Sequence, residues 1–161
     1  MLSFNLIVKN EEHCLEECLQ SIKPIADEII IVDTGSTDAT LEISKKFTDK
    51  IFEFAWINDF SAARNFAKSK TSGDWIFLID ADEVLNFEEY PLILNAMKNP
   101  NIEAYICTTK NFDFNANAVN WHKNKTAADF RLCKSAGGWF PSEKIRLFRN
   151  REDYRFYGRI H

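Results

Sequence analysis

Glycine is scarce in this chain: 5 residues in 161, against 14 phenylalanines. That ratio excludes a collagen-like or disordered chain and fits a protein with many buried strands. No apolar run approaches the roughly 18 residues that a membrane-spanning helix needs. Neither GxxxxGK(S/T) nor GxGxxG occurs, so a P-loop and a dinucleotide fingerprint are both absent. No secretory signal is apparent, because residues 1–8 are too short for its apolar segment and Lys9-Asn10-Glu11-Glu12 follows at once. Reduced thiols and a cytoplasmic location are therefore expected. Of the four cysteines, Cys14, Cys18, Cys107 and Cys133, the first two sit four apart on one helix face with no further ligand pair at a metal-binding spacing. They read as buried thiols. Positive charge is not in surplus either: Lys and Arg total 20, Asp and Glu 24, for a net charge of −4. Such a chain gains nothing from counterion release at phosphates, which argues against nucleic acid as a partner.

What is present is the composition of a soluble globular protein, 45% hydrophobic and 27% charged. At about 150 residues per domain, the length predicts a single domain over residues 1–161. The first hundred residues alternate strand and helix patterns. Residues 3–8, 29–32, 51–54 and 75–79 read as strands. Of these, Ile29-Ile30-Ile31-Val32 and Trp75-Ile76-Phe77-Leu78-Ile79 are apolar runs of the kind buried on both faces of a parallel sheet. Helices are expected from Asn10 to Pro24, over 39–47, 60–70 and 88–98. This β-α rhythm predicts an α/β fold with a mostly parallel central sheet and helices on both faces. Beyond residue 100 the texture changes. Residues 104–110, 130–134 and 144–149 alternate like strands, and Asn150-Arg151-Glu152-Asp153 reads as a hairpin turn into residues 154–161.

In an open parallel sheet, ligands bind at the carboxyl ends of the strands. Three polar clusters fall there: Lys9-Asn10-Glu11, the run from Asp33 to Asp38, and Asp80-Ala81-Asp82. Asp38 fits a helix N-cap or first-turn acid, and Asp33 either ends a strand or accepts from a ligand N–H. Carboxylates two residues apart in an extended turn can face one bound ion. Few oxygen ligands suit Mg²⁺ or Mn²⁺ shared with substrate phosphates. Arg64, among Phe60, Ala62, Ala63 and Phe66, calls for an anionic partner, carboxylate or phosphate.

Four segments in order carry a resemblance: residues 5–12 (NLIVKNEE), 30–38 (IIVDTGSTD), 59–65 (DFSAARN) and 80–83 (DADE). Together they resemble the family 2 glycosyltransferases, which have the GT-A fold, a Rossmann-like nucleotide-sugar-binding fold. The last residues, FYGRIH from 156 to 161, resemble a segment of a bacterial branch that acts on lipopolysaccharide, capsule and other cell-surface acceptors. The resemblance implies a metal-dependent, inverting transferase that moves a sugar from a nucleotide-sugar, in most cases a UDP-sugar, to a glycan, lipid-linked or peptide acceptor, with peripheral association at the inner face of the cytoplasmic membrane. It implies a donor site of Val8, Asn10, Glu11, Asp33, Ser36, Arg64, Asp80 and Ala81. Within it Asp33 would take the base N–H, Asn10 and Glu11 line the base and ribose pocket, Arg64 reach the base or diphosphate, and Asp80 hold the ribose. Asp82 would coordinate Mn²⁺ or Mg²⁺. His161 is either a third metal ligand or an ordinary terminal residue.

An inverting transferase also needs a base, in this family usually from a Glu-Asp pair. The Glu-Asp pair here is Glu152-Asp153, in what reads as a surface turn; Asp153 is the catalytic candidate it offers. Because members of the family usually continue well beyond this motif, residues 1–100 are expected to be the donor half and 101–161 part of an acceptor half truncated at its C-terminus. A non-catalytic donor-binding module is the alternative.

Overall fold

The computed structural model describes residues 1–113, 120–125 and 136–159. Within them, seven strands form one mixed sheet: β1 (Leu2–Val8), β2 (Glu28–Asp33), β3 (Ile51–Glu53), β4 (Trp75–Leu78), β5 (Ala104–Asp113), β6 (His122–Lys123) and β7 (Gly138–Arg149). The order is β3-β2-β1-β4-β7-β5, with β6 on β7. The first four are parallel; β7 runs antiparallel to β4, β5 and β6. The helices are α1 (Leu15–Ile22), α2 (Thr40–Lys45), α3 (Phe60–Ser69) and α4 (Tyr90–Ala96), the last entered through a 3₁₀ turn, Phe87–Glu89. No helix of the described residues is long and apolar enough to cross a membrane.

The apolar runs become strands because both faces are covered. Every residue of β2 is buried. Its Ile29 and Ile31 pack with Phe4, Leu6 and the α1 stripe Leu15, Cys18, Leu19 and Ile22. Its Ile30 and Val32 point the other way, onto Ala67 and Phe66 of α3. The period of two in the strands and of three to four in the helices thus produces an α/β sandwich with helices on both faces. On the α3 side a further cluster of Ile76, Leu78 and Phe148 is covered by Tyr154 and Phe156.

Several boundaries shift from the sequence reading. Helix α1 starts at Leu15 rather than at Asn10, because Asn10 adopts a left-handed φ of 56° and ends the strand in a turn. Strand β7 begins at Gly138, six residues earlier than the alternation suggested. Residues 150–153 do turn, but 154–159 form no strand; they lie along α3 instead. The strand expected over 130–134 and Cys133 lie outside the described residues. Cys18 is buried, and Cys14 and Cys107 are half-buried; all three are free thiols.

Candidate nucleotide-sugar site

After β3 the chain crosses to the opposite side of β1 to form β4, so β1 and β4 are neighbours whose onward connections diverge. A crevice opens at the carboxyl ends of such strands. Three loops meet there, following β1, β2 and β4.

The first two loops interlock. Thr34 donates its N–H to the carbonyl of Val8 at 2.9 Å, tying the strand ends together. Asp33 is buried and accepts from the N–H groups of Gly35 and Ser36, each at 3.0 Å, and from the Ser36 hydroxyl. Gly35 has a φ of +105°, a conformation open to glycine, which lets the chain fold back over the carboxylate. Ser36 Oγ in turn accepts from the Asn10 N–H at 3.0 Å, and Asn10 Oδ1 accepts from the Thr37 N–H at 2.7 Å. Glu11 N–H donates to Thr40 Oγ1 at 2.7 Å, and the Ala39 N–H to Glu12 Oε2 at 3.0 Å. Asp38 accepts from the N–H of Thr40, the first residue of α2, but it lies one residue before the N-cap Ala39 rather than at the N-cap or in the first turn, where the acid is Glu42. Asn10, Glu11, Asp33 and Ser36 are thus gathered at one place.

The third loop carries the charge. Asp80 follows β4 on the same face as Ile76 and Leu78, toward α3. Arg64 Nη2 donates to its Oδ1 at 2.7 Å, and Arg146 Nη2 to its Oδ2 at 2.9 Å. The same Arg146 nitrogen reaches Glu83 Oε1. Glu83 accepts from the Asp80 N–H and donates its own N–H to the Asp80 carbonyl, each at 3.0 Å, so the turn is closed. Both arginines are buried, Arg64 at 6% exposure and Arg146 at 5%. Burial of the Asp80 carboxyl opposes its ionisation, but the two guanidiniums outweigh it and draw its pKa down to about 2. Arg64 Nη1 is buried with no hydrogen-bond partner. The anionic partner that the sequence demanded for Arg64 is therefore a carboxylate of the protein, with one donor left over.

Asp82, two residues on, is exposed and makes no hydrogen bond or ion pair among the described residues. Ala81 between them is buried in the core. Cys14 lies close by: burial first, then the Glu11 carboxylate that accepts from its thiol at 3.3 Å, push its pKa up to about 11, and the charge of Asp82 adds to the effect. Among the described residues no three His, Cys, Asp or Glu side chains cluster as a metal cage. A single free carboxylate is still a fitting donor set for Mg²⁺ or Mn²⁺, which keep few protein ligands when a substrate diphosphate supplies the rest.

One candidate falls elsewhere. Asp153 sits exposed in the turn after β7, and that turn packs on residues 71–74, where Asn150 donates to the carbonyls of Gly73 and Asp74. This is the amino end of β4, the opposite end of the sheet from Asp80. His161 lies outside the described residues. Conversely, Arg146 and Glu83 were not singled out from sequence. The signal for Arg146 was the one that exposed Arg64: a guanidinium inside an apolar stretch, here Ile145-Arg146-Leu147-Phe148.

The architecture, with its switch between β1 and β4 and its acidic turn at the β4 end, is the GT-A glycosyltransferase fold. Glucosyl-3-phosphoglycerate synthase of Mycobacterium tuberculosis superposes with a TM-score of 0.55 at 24% identity, covering 65% of this chain and 43% of that one. Residues 1–349 of S. aureus TarS superpose with a TM-score of 0.56 at 18% identity, covering 92% and 47%. The chain belongs to glycosyl transferase family 2, whose model matches residues 3–158. It is 35% identical over 161 residues to a TPR repeat-containing protein of Synechococcus elongatus, covering 99% of this chain and 34% of that protein. It is 39% identical over 87 residues to an uncharacterized glycosyltransferase of Rickettsia typhi, covering 54% and 30%. It is 28% identical over 162 residues to the SPbeta prophage-derived glycosyltransferase SunS of Bacillus subtilis, covering 99% and 34%. The chain thus spans about a third of the length of these relatives.

Proposed function

We propose that this chain is the donor-binding part of an inverting, metal-dependent glycosyltransferase that takes a sugar from a UDP-sugar and delivers it to a cell-envelope glycan or similar acceptor. The observation that carries the reading is the acidic turn at the end of β4: Asp80 locked between Arg64 and Arg146, and Asp82 left free beside the interlocked Asn10 and Asp33 loops. The solved neighbours support the donor class. The mycobacterial synthase has been crystallised with Mg²⁺ and UDP and with Mn²⁺ and UDP-glucose, and TarS 1–349 with UDP.

In this reading Asp33 meets the base, Asn10 and Glu11 line the base and ribose pocket, and Asp80 meets the ribose with the lone pairs its arginines leave over. Arg64 Nη1, buried without a hydrogen-bond partner, is a spare donor on the guanidinium that holds Asp80. Asp82 would hold the divalent ion, which when bound stabilises the charge that develops on the leaving diphosphate. A cytoplasmic location, at the inner face of the cytoplasmic membrane, is part of the same proposal.

Calorimetric titration with UDP, GDP and TDP in the presence of Mn²⁺ tests the reading. The native chain should bind UDP, and Asp82→Ala should abolish the metal-dependent part of the signal. No binding of any of the three by the native chain overturns it. A second reading, a donor-binding module without transfer, is favoured by the position of Asp153 at the far end of the sheet from the crevice. It expects binding without turnover, so release of free sugar or transfer from the donor with Mn²⁺ would exclude it.

A further inference from the structure

Three carboxylates, Asp80, Asp82 and Glu83, lie within four residues at the end of β4. They do not share a fate. Arg64 and Arg146 supply two positive charges against the two negative charges of Asp80 and Glu83, and only Asp82 stays exposed and uncompensated. Arg146 is the hinge of this division, because one of its nitrogens touches both carboxylates.

Its placement comes from an irregularity in the sheet. On β5 and β7, Tyr105 faces Leu147 but Ile106 faces Ile145. The register steps there, and Arg146 is the extra residue with no partner across the ladder. An inserted residue of this kind re-aims its side chain. Ile145 next to it is 56% exposed and Ile106 66%, while Arg146 is turned inward at 5%. Strand β7 itself is held from both sides, by β4 and by β5. The guanidinium therefore hangs from a fixed support. It comes from beyond residue 100, in the half of the chain opposite in sequence to the donor loops.

We propose that Arg146 is a positioning residue: it fastens the turn 80–83 to β7, neutralises Asp80 and Glu83 as metal ligands while leaving Asp80 in reach of the ribose, and leaves Asp82 as the uncompensated carboxylate of this turn presented to a metal-diphosphate. This rests on the donor-site reading above. Lysine cannot reproduce it in full, because a planar guanidinium fixes the direction of its N–H groups and an ammonium does not. With the guanidinium itself buried, the contacts are less screened by water than a surface pair, which favours one direction.

The test uses Arg146→Met and Arg146→Lys in the whole chain. Amide hydrogen exchange, without ligand, should accelerate in Arg146→Met at residues 79–85 at least about tenfold more than in β1 and β2. UDP affinity with Mn²⁺ should fall by roughly 10–100-fold, the range for losing a group that orients a metal ligand. Arg146→Lys should recover part of both. If Arg146→Met does not fold, Glu83→Gln removes one of the two carboxylates at nearly the same shape and should loosen the same turn. Unchanged exchange at 79–85 overturns the proposal, as does unchanged UDP affinity in a variant of a chain that binds. If the native chain binds no nucleotide, the donor-site reading falls, and exchange alone still decides whether Arg146 holds the turn.

Discussion

Asn65, in the middle of α3, satisfies both backbone groups of Phe156. Its Nδ2 donates to the Phe156 carbonyl at 2.9 Å, and its Oδ1 accepts the Phe156 N–H at 2.9 Å. The side-chain amide acts as a one-residue strand partner for a segment that has no strand of its own. Ser61 hydroxyl donates to the Gly158 carbonyl, and Lys68 Nζ to the Arg151 carbonyl at 2.6 Å, so positions 61, 65 and 68 of one helix face hold the segment. The segment in turn lays Tyr154 and Phe156 over Ile76, Leu78 and Phe148. Replacing Asn65 with Ala strands two half-buried backbone groups, at a cost of about 1–3 kcal/mol. Urea denaturation should register that loss, and limited proteolysis should cut at residues 154–159 faster; equal cutting rates would count against this role.

Glu28 gives the protein an acid limit. The residue is buried at the start of β2, which opposes ionisation, but hydrogen bonds from Lys50, Ser3 and the Ser72 side chain and N–H outweigh this and lower its pKa from 4.5 to about 2. Folding favours the ionised form. Its contribution to stability is therefore complete above about pH 4.5 and fades as the pH falls toward 2. Thermal melts of Glu28→Gln should lie below the native protein at pH 7, and the gap should narrow between pH 4.5 and 2. A gap constant with pH would show that the charge contributes nothing.

Gly35 should tolerate size but not a β-carbon's backbone preference. A Cβ there would meet nothing within 4 Å, yet the φ is +105°. Gly35→Ala is expected to cost about 1–2 kcal/mol from conformation alone, and Gly35→Asn less, since asparagine enters positive φ more readily. Equal stabilities for the two variants would contradict this. Because this turn shapes the hydrogen bonds to Asp33, the proposed donor site implies that UDP affinity follows the same order.

The core offers a control for these local effects. Leu6 is fully buried between the α1 stripe and β2. Leu6→Ala should cost about 2–5 kcal/mol, the range for opening a cavity in a packed core. Ile57, 60% exposed in the loop before α3, should change stability by less than about 0.5 kcal/mol when cut to Ala. Chemical denaturation of the two variants side by side separates packing from surface.

The sequence by itself determined the parallel half of the sheet. Ile29-Ile30-Ile31-Val32 and Trp75-Ile76-Phe77-Leu78 have no polar face to offer water, so they have to lie between two layers, and the helices between them supply those layers. It also placed Asn10, Asp33 and Asp80 together, because polar residues directly after such strands fall at one end of the sheet, and it demanded a counter-charge for Arg64 on the apolar helix α3. Three things were decided only in the tertiary structure. The partner of Arg64 is Asp80, a choice between carboxylate and phosphate that depends on how far α3 lies from β4. Residues 154–159 became a strap on α3 because Asn65 could satisfy their backbone, a contact between positions 91 residues apart that no local pattern encodes. Arg146 turned inward because the β5–β7 register steps at its position, and register belongs to the pairing of two strands rather than to either one.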